Sequence, residues 1–244
     1  MSALPGTASR RRIYLMRHGH VDYLAKHVAA EGAINIVPLT TRGRLQAEAA
    51  GAALAHVAFD RAVCSGYPRT HETASHVLAA QKKPPPLEID ADLVEIAGGQ
   101  MNPPPQSRAE LIERMKIRFS EAGNPGATNH DGGEEYAKAQ ARAVGALKRL
   151  LQVPGWHTAL VVAHEGINRL VLSWACGAGL AAMGAFEQDT GCINVLDFDL
   201  DAQGGIVRAM IKSVNLTPYN WLKHGMNLTS LEAIFERNAT EELR

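Results

Sequence analysis

Three short segments carry the side chains best suited to handling an anion: Arg17-His18-Gly19-His20, Ser65-Gly66-Tyr67-Pro68-Arg69-Thr70 and His164-Glu165-Gly166. The planar fork of an arginine matches phosphate oxygens, and an imidazole can act as donor, acid or nucleophile. Each segment follows an apolar run of strand length and leads into a helical stretch. In an open parallel sheet, ligands bind just beyond the carboxyl ends of the strands. Helix N-termini at the same edge add N–H donors and the positive end of a dipole. Two arginines and two or three histidines delivered to such an edge describe a phosphoryl site.

The elements that must position them are legible in outline. Ile13-Tyr14-Leu15-Met16 reads as a buried parallel strand, Arg61 to Ser65 as a second, and Ala159 to Ala163 as the clearest of all. Thr40 to Val57 has helical spacing, with Thr40 or Thr41 as the cap. A helix is predicted from Arg69 to Gln81 behind Pro68, and another from Ile167 to Cys176. Leu87 to Ile89 is a short strand candidate. Stretches 106–120 and 133–152 read as helices, and Ile96 to Pro105 as a loop. Cys192 to Phe198 and Ile206 to Val214 predict a hairpin. This order predicts a three-layer α/β/α sandwich with a mostly parallel sheet.

Composition sets the outer limits. The chain has 244 residues, 46% hydrophobic, with 25 Lys+Arg against 25 Asp+Glu. That suits a soluble globular protein and argues against a general binder of nucleic acid or anionic membrane, which needs a cationic face. No run approaches the ~20 apolar residues of a membrane span. The start lacks the apolar core of a signal peptide, so a cytoplasmic location is expected. Cys64, Cys176 and Cys192 have no metal or disulfide spacing and read as small buried residues. Trp156, Trp174 and Trp221 read as packing residues. Residues 1–11 are expected to be a flexible tail, 12–220 the domain, and 221–244 a helical C-terminal extension.

The motif Leu15-Met16-Arg17-His18-Gly19 resembles the signature of the histidine phosphatase superfamily, whose fold is phosphoglycerate-mutase-like. Five further elements follow in the family's order: Pro38-Leu39-Thr40-Thr41-Arg42-Gly43, Ser65 through Arg69-Thr70 to Thr73, Val94-Glu95-Ile96-Ala97-Gly98, Gly132-Gly133-Glu134, and Val161-Val162-Ala163-His164. The resemblance implies a two-step phosphoryl transfer without cofactor or metal. His18 would be the nucleophile and form a phosphohistidine, while Arg17, Arg69 and His164 would hold the phosphoryl oxygens. Glu95 would protonate the leaving oxygen and then take a proton from water. The chain departs from the family pattern at Val21 and Leu24, at Glu134-Glu135, and at Glu165, which follows the second histidine. His20 and Glu165 are candidates for lining the pocket, with the loop 20–38 and the Pro-rich segment 98–107 as substrate selectors.

The leading expectation is a phosphoric monoester hydrolase acting on a small phosphorylated molecule. One alternative is a phosphoglycerate mutase, which would need extra cations for a second anionic group; between His18 and Arg42 the chain offers Lys26 alone. A non-catalytic binding domain of the same fold is the second alternative, opposed by the intact Arg17, His18, Arg69 and His164. A His/Glu metal hydrolase lacks ligands at metal spacing. A homodimer is left open.

Overall fold

The fold was read from a computed structural model, in which residues 8–23 and 35–234 are described. Among the described residues, six strands and five α-helices of ten or more residues follow one another as β1 (Ser9–Arg17), α1 (Thr41–Leu54), β2 (Arg61–Cys64), α2 (Pro68–Ala79), β3 (Leu87–Ile89), α3 (Arg108–Ile117), α4 (Tyr136–Gln152), β4 (Thr158–Ala163), α5 (Glu165–Ala175), β5 (Ile193–Leu200) and β6 (Ile206–Leu216). The sheet order is β3-β2-β4-β1-β5-β6. The first four strands in that order run parallel, and β5 and β6 form the expected hairpin, in which β5 pairs antiparallel with both β1 and β6.

Both faces of the sheet are covered, as its apolar strands require. Ile13, Leu15, Val161 and Ala163 face one core with Leu147 and Leu151 of α4 and Ile167 and Leu170 of α5. Met16, Ala62, Cys64 and Val162 face the other, with Ala50 of α1 and Ala74 and Val77 of α2. The three-layer sandwich predicted from the element order is the observed architecture. Thr40 caps α1, its side chain accepting from the Gly43 N–H at 3.1 Å.

Two boundaries and two burial expectations differ from what is observed. β1 begins at Ser9, so residues 9–11, expected in the tail, belong to the sheet. The cause is a charge ladder across the antiparallel pair. Arg10 lies opposite Asp199 and Arg12 opposite Asp197, each joined through Nε at 2.7 Å. Cross-strand pairs of opposite charge stabilise such a ladder. Arg11 points to the other face, its guanidinium 4.7 Å from the centre of the Trp156 ring. Residues 221–229 form turns and bends, and residues 230–234 are helical; the rest of the expected C-terminal extension, 235–244, lies outside the described residues. Cys176 is exposed rather than buried, and Trp221 is also exposed. No helix among the described residues is long and apolar enough to cross a membrane.

Candidate active site

Strand register assembles the site. Arg17 pairs with Ala163, and Cys64 with Val162, so β1, β2 and β4 end side by side. The residues that follow, His18, Ser65 and His164, therefore meet at one edge. The rings of His18 and His164 lie 5.3 Å apart at 65°. Two glycines let the backbone close here: a Cβ on Gly19 would stand 2.4 Å from the Gly43 carbonyl oxygen, and one on Gly43 only 2.2 Å from that of His20. Thr73 fixes the same turn by accepting from the Gly19 N–H at 3.0 Å, and Gln46 accepts from the His20 N–H at 2.8 Å.

His18 is buried, with Nδ1 2.7 Å from the carbonyl oxygen of Gly19. A carbonyl only accepts, so Nδ1 carries the proton and the lone pair of the neutral ring sits on Nε2. Burial, reinforced by Arg69 and Arg17, pushes the His18 pKa well below its usual value and keeps the ring neutral. The Tyr23 hydroxyl stands 3.4 Å from that Nε2. Arg69 lies between two rings, 5.8 Å from the centre of Tyr23 and 4.8 Å from that of Tyr67.

His164 caps the start of α5 and is fully buried. Its Nε2 is 2.8 Å from Ser65 Oγ, which is 2.9 Å from Thr70 Oγ1. Its Nδ1 is buried without a hydrogen-bond partner. Burial comes first among the causes that hold the His164 pKa well below the usual range, followed by Arg69, His18 and Arg17.

Arg17 Nη2 meets Glu165 Oε2 at 3.1 Å, and Arg17 Nη1 donates to the Gln188 carbonyl. Glu165 Oε1 also accepts from Arg169 Nη2 at 2.9 Å and Ser230 Oγ at 2.8 Å. Burial raises a carboxyl pKa, but Arg17 and Arg169 outweigh it here and bring Glu165 down to about 2. Glu165 is thus an ionised member of a buried network behind Arg17.

Glu95 reaches the same helix start. Its carboxylate accepts from the Gly166 N–H at 3.2 Å and from the Ile96 N–H at 3.0 Å. A Cβ on Gly166 would approach Glu95 Oε1 to 2.7 Å, so glycine there makes room for the carboxylate. Arg142 of α4 grips the loop carrying Glu95, donating to the carbonyls of Asp92 at 2.7 Å, Val94 at 2.8 Å and Glu95 at 3.3 Å. Glu134 holds Arg142 in turn through both its oxygens, at 2.7 and 2.8 Å. The Gly-Gly-Glu element therefore acts as scaffold for the candidate acid.

A cavity of about 710 Å³ opens beside Arg17 and is lined by His20, Tyr23, Thr40 and Arg42 on one side and by Tyr219, Met226 and Leu228 on the other. His20 lines it as expected, its Nδ1 2.8 Å from Thr40 Oγ1. The segment 98–107 contributes nothing to the lining among the described residues, contrary to expectation. Most of the other expected selector, residues 24–34 of the loop 20–38, with Leu24 and Lys26, lies outside the described residues. Sequence reading did not foresee Tyr23 over His18, Ser65 against His164, or the C-terminal segment in the cavity wall. None carries a local pattern; each depends on tertiary placement.

The family model of the histidine phosphatase superfamily, branch 1, matches residues 13–212, and the chain belongs to that family. Among its relatives is the adenosylcobalamin/alpha-ribazole phosphatase of Escherichia coli, 28% identical over 199 residues, or 77% of this chain and 90% of that protein. The 2-carboxy-D-arabinitol-1-phosphatase of Triticum aestivum is 26% identical over 218 residues, covering 88% of this chain but 42% of its own length. The crystal structure of a putative alpha-ribazole-5'-P phosphatase from E. coli superposes with a TM-score of 0.63 at 26% identity, over 84% of this chain and 96% of that one. A mycobacterial glucosyl-3-phosphoglycerate phosphatase shares the fold, with a TM-score of 0.65 at 21% identity over 84% and 99% of the two chains. The expected phosphoric monoester hydrolase agrees with the family and with these named phosphatases.

Proposed function

We propose that this chain hydrolyses a small-molecule phosphomonoester without a metal, through a phosphohistidine on Nε2 of His18. The observation that carries the reading is the Nδ1 contact of His18 with the Gly19 carbonyl at 2.7 Å, which leaves a lone pair on Nε2 of a buried ring close to Arg17 and Arg69. A neutral imidazole attacks phosphorus without first losing a proton. The P–N bond forms as the bond from phosphorus to the ester oxygen breaks. Glu95 donates a proton to the departing alcohol, then accepts one from the water that attacks phosphohistidine, releasing phosphate and restoring His18.

Arg17, Arg69 and His164 stabilise the charge on the three non-bridging oxygens. Thr70 Oγ1 donates to the Tyr67 carbonyl, so Ser65 gives its proton to Thr70 and accepts from Nε2–H of His164; Nδ1, the atom without a partner, then donates to a phosphoryl oxygen once the ring takes up a proton beside the bound dianion. These cationic and N–H groups balance the dianion that a metal balances elsewhere. We place the enzyme in the cytoplasm, acting on a free metabolite rather than on nucleic acid or a membrane.

The test is a rapid-quench reaction with labelled p-nitrophenyl phosphate. Wild type should retain an acid-labile, base-stable phosphoryl group, and His18→Ala should retain none, with kcat reduced by roughly 10⁴-fold or more. Activity should persist in excess EDTA. A label that survives in His18→Ala would remove the nucleophile from this mechanism.

A further inference from the structure

The cavity beside Arg17 has a second wall that the family match, ending at residue 212, does not cover. Its apolar part is formed by Tyr219, Met226, Leu228 and Ile234, interspersed with Asn227 and Ser230. The wall is anchored at both ends. The Tyr219 hydroxyl donates to the Thr190 carbonyl at 2.8 Å, and Lys223 Nζ meets Asp189 Oδ2 at 2.7 Å. Ser230 donates through Oγ to Glu165 at 2.8 Å and through its N–H to Glu187 at 2.9 Å. The same carboxylate of Glu165 pairs with Arg17, so the wall and the phosphate clamp share a buried support.

We infer that this wall binds the alcohol portion of the substrate, and that the preferred substrate is the monophosphate of an uncharged alcohol with a sizeable apolar body. The inference rests on the phosphatase reading above. Three observations support it. The volume, about 710 Å³, lies in the ~300–1,000 Å³ range that encloses drug-sized ligands and far exceeds what a three-carbon phosphate fills. Val21 and Tyr23 also line the cavity, so an apolar group there would meet apolar side chains from two separate parts of the chain. The charged side chains in the lining come in both signs, Arg17 and Arg42 against Asp22 and Asp189, with Asp189 already paired to Lys223. A second phosphate or a carboxylate on the substrate would meet no surplus of cations. An aliphatic or aromatic body would be removed from water at a gain that grows with its area.

The experiment uses a series of straight-chain alkyl phosphates from ethyl to hexyl. Their leaving-group acidity hardly changes along the series, so differences report binding to the alcohol. For wild type, kcat/KM should rise about threefold per methylene over the first members, and 3-phosphoglycerate should be turned over at least tenfold less efficiently than butyl phosphate. The double variant Met226→Ser/Leu228→Ser should flatten the rise. Val207→Ser, on an exposed position of β6 outside the cavity, should keep it. Equal kcat/KM for ethyl and hexyl phosphate in wild type would overturn this inference while leaving the phosphatase reading intact. An unchanged rise in the double variant would overturn the assignment to this wall. Failure to release phosphate from any ester would overturn both readings together.

Discussion

Glu165 Oε2 stands 3.1 Å from Nη2 of Arg17, and both side chains are at most 5% exposed. The guanidinium assigned to phosphate binding is therefore half-neutralised before any substrate arrives. A buried pair that loses one partner leaves an uncompensated charge. Glu165→Gln should lower stability by about 3 kcal/mol or more, since Arg17 and Arg169 both lose a carboxylate. Bound phosphate replaces the missing charge. The Tm of the variant should therefore rise more on adding vanadate or phosphate than that of wild type, measured by thermal melts across a ligand titration. Equal ligand-induced shifts in both proteins would show that Glu165 does not set the charge felt by Arg17.

Acidification should destabilise the protein before its carboxylates titrate. His18 and His164 have folded-state pKa values pushed well below the ordinary 6.5, so below that value the unfolded chain binds protons that the folded chain does not. Stability is thus intact above pH 6.5 and falls as pH drops through it, by up to about 1.4 kcal/mol per pH unit for each imidazole. Glu165, depressed to about 2, adds its own loss only as pH falls below 4.5. Denaturant midpoints between pH 8 and 5.5 test this, and a flat profile would mean that the two rings take up protons in the folded protein as readily as in the unfolded chain. In His18→Ala the slope should fall by one imidazole's share, leaving those of His164 and of His130, which burial also holds below the usual value.

Ser65 should matter to catalysis out of proportion to its size. Its hydroxyl is 2.8 Å from Nε2 of His164 and settles which nitrogen of that ring carries the proton. Ser65→Ala should reduce kcat/KM and vanadate affinity by a similar factor, about tenfold for a hydrogen bond of this kind. A stability loss with unchanged vanadate affinity would make Ser65 a packing residue only.

Glu95 should be needed in proportion to the basicity of the leaving group. Glu95→Gln preserves the size of the side chain and an oxygen for the Gly166 N–H. Alkyl phosphates should lose on the order of 10²–10⁴ in kcat, and p-nitrophenyl phosphate far less, because its leaving group departs without a proton. Parallel losses on both substrates would transfer the acid role to another group.

Much of this was legible in the sequence because the chemistry sits at strand ends. Apolar runs of three to five residues, each followed by a polar motif, located β1, β2 and β4 and with them Arg17, His18, Arg69 and His164. The start of β1 was hidden because Arg10 and Arg12 look like a polar tail until Asp199 and Asp197 are known to lie opposite them. Glu165 was visible as an unusual neighbour of His164, but its partners Arg17, Arg169 and Ser230 come from three separate parts of the chain. The wall from Tyr219 to Ile234 has no periodicity, since turns held by side-chain bonds such as Asn220 Nδ2 to the His224 carbonyl build much of it.

The central position of β1 has a consequence for how the molecule is made. The strand carrying Arg17 is first in the chain, yet its neighbours in the sheet are β4, beginning at residue 158, and β5, beginning at residue 193. Pairings this distant in sequence form late, because the loop must be closed before the contacts reward it. While the chain emerges from the ribosome, His18 is synthesised 146 residues ahead of His164 (164 − 18) and has no second ring beside it until then. A product that stops before β4 would carry the nucleophile without its pocket and could not release phosphate, so activity reports that β4 has been made and docked beside β1.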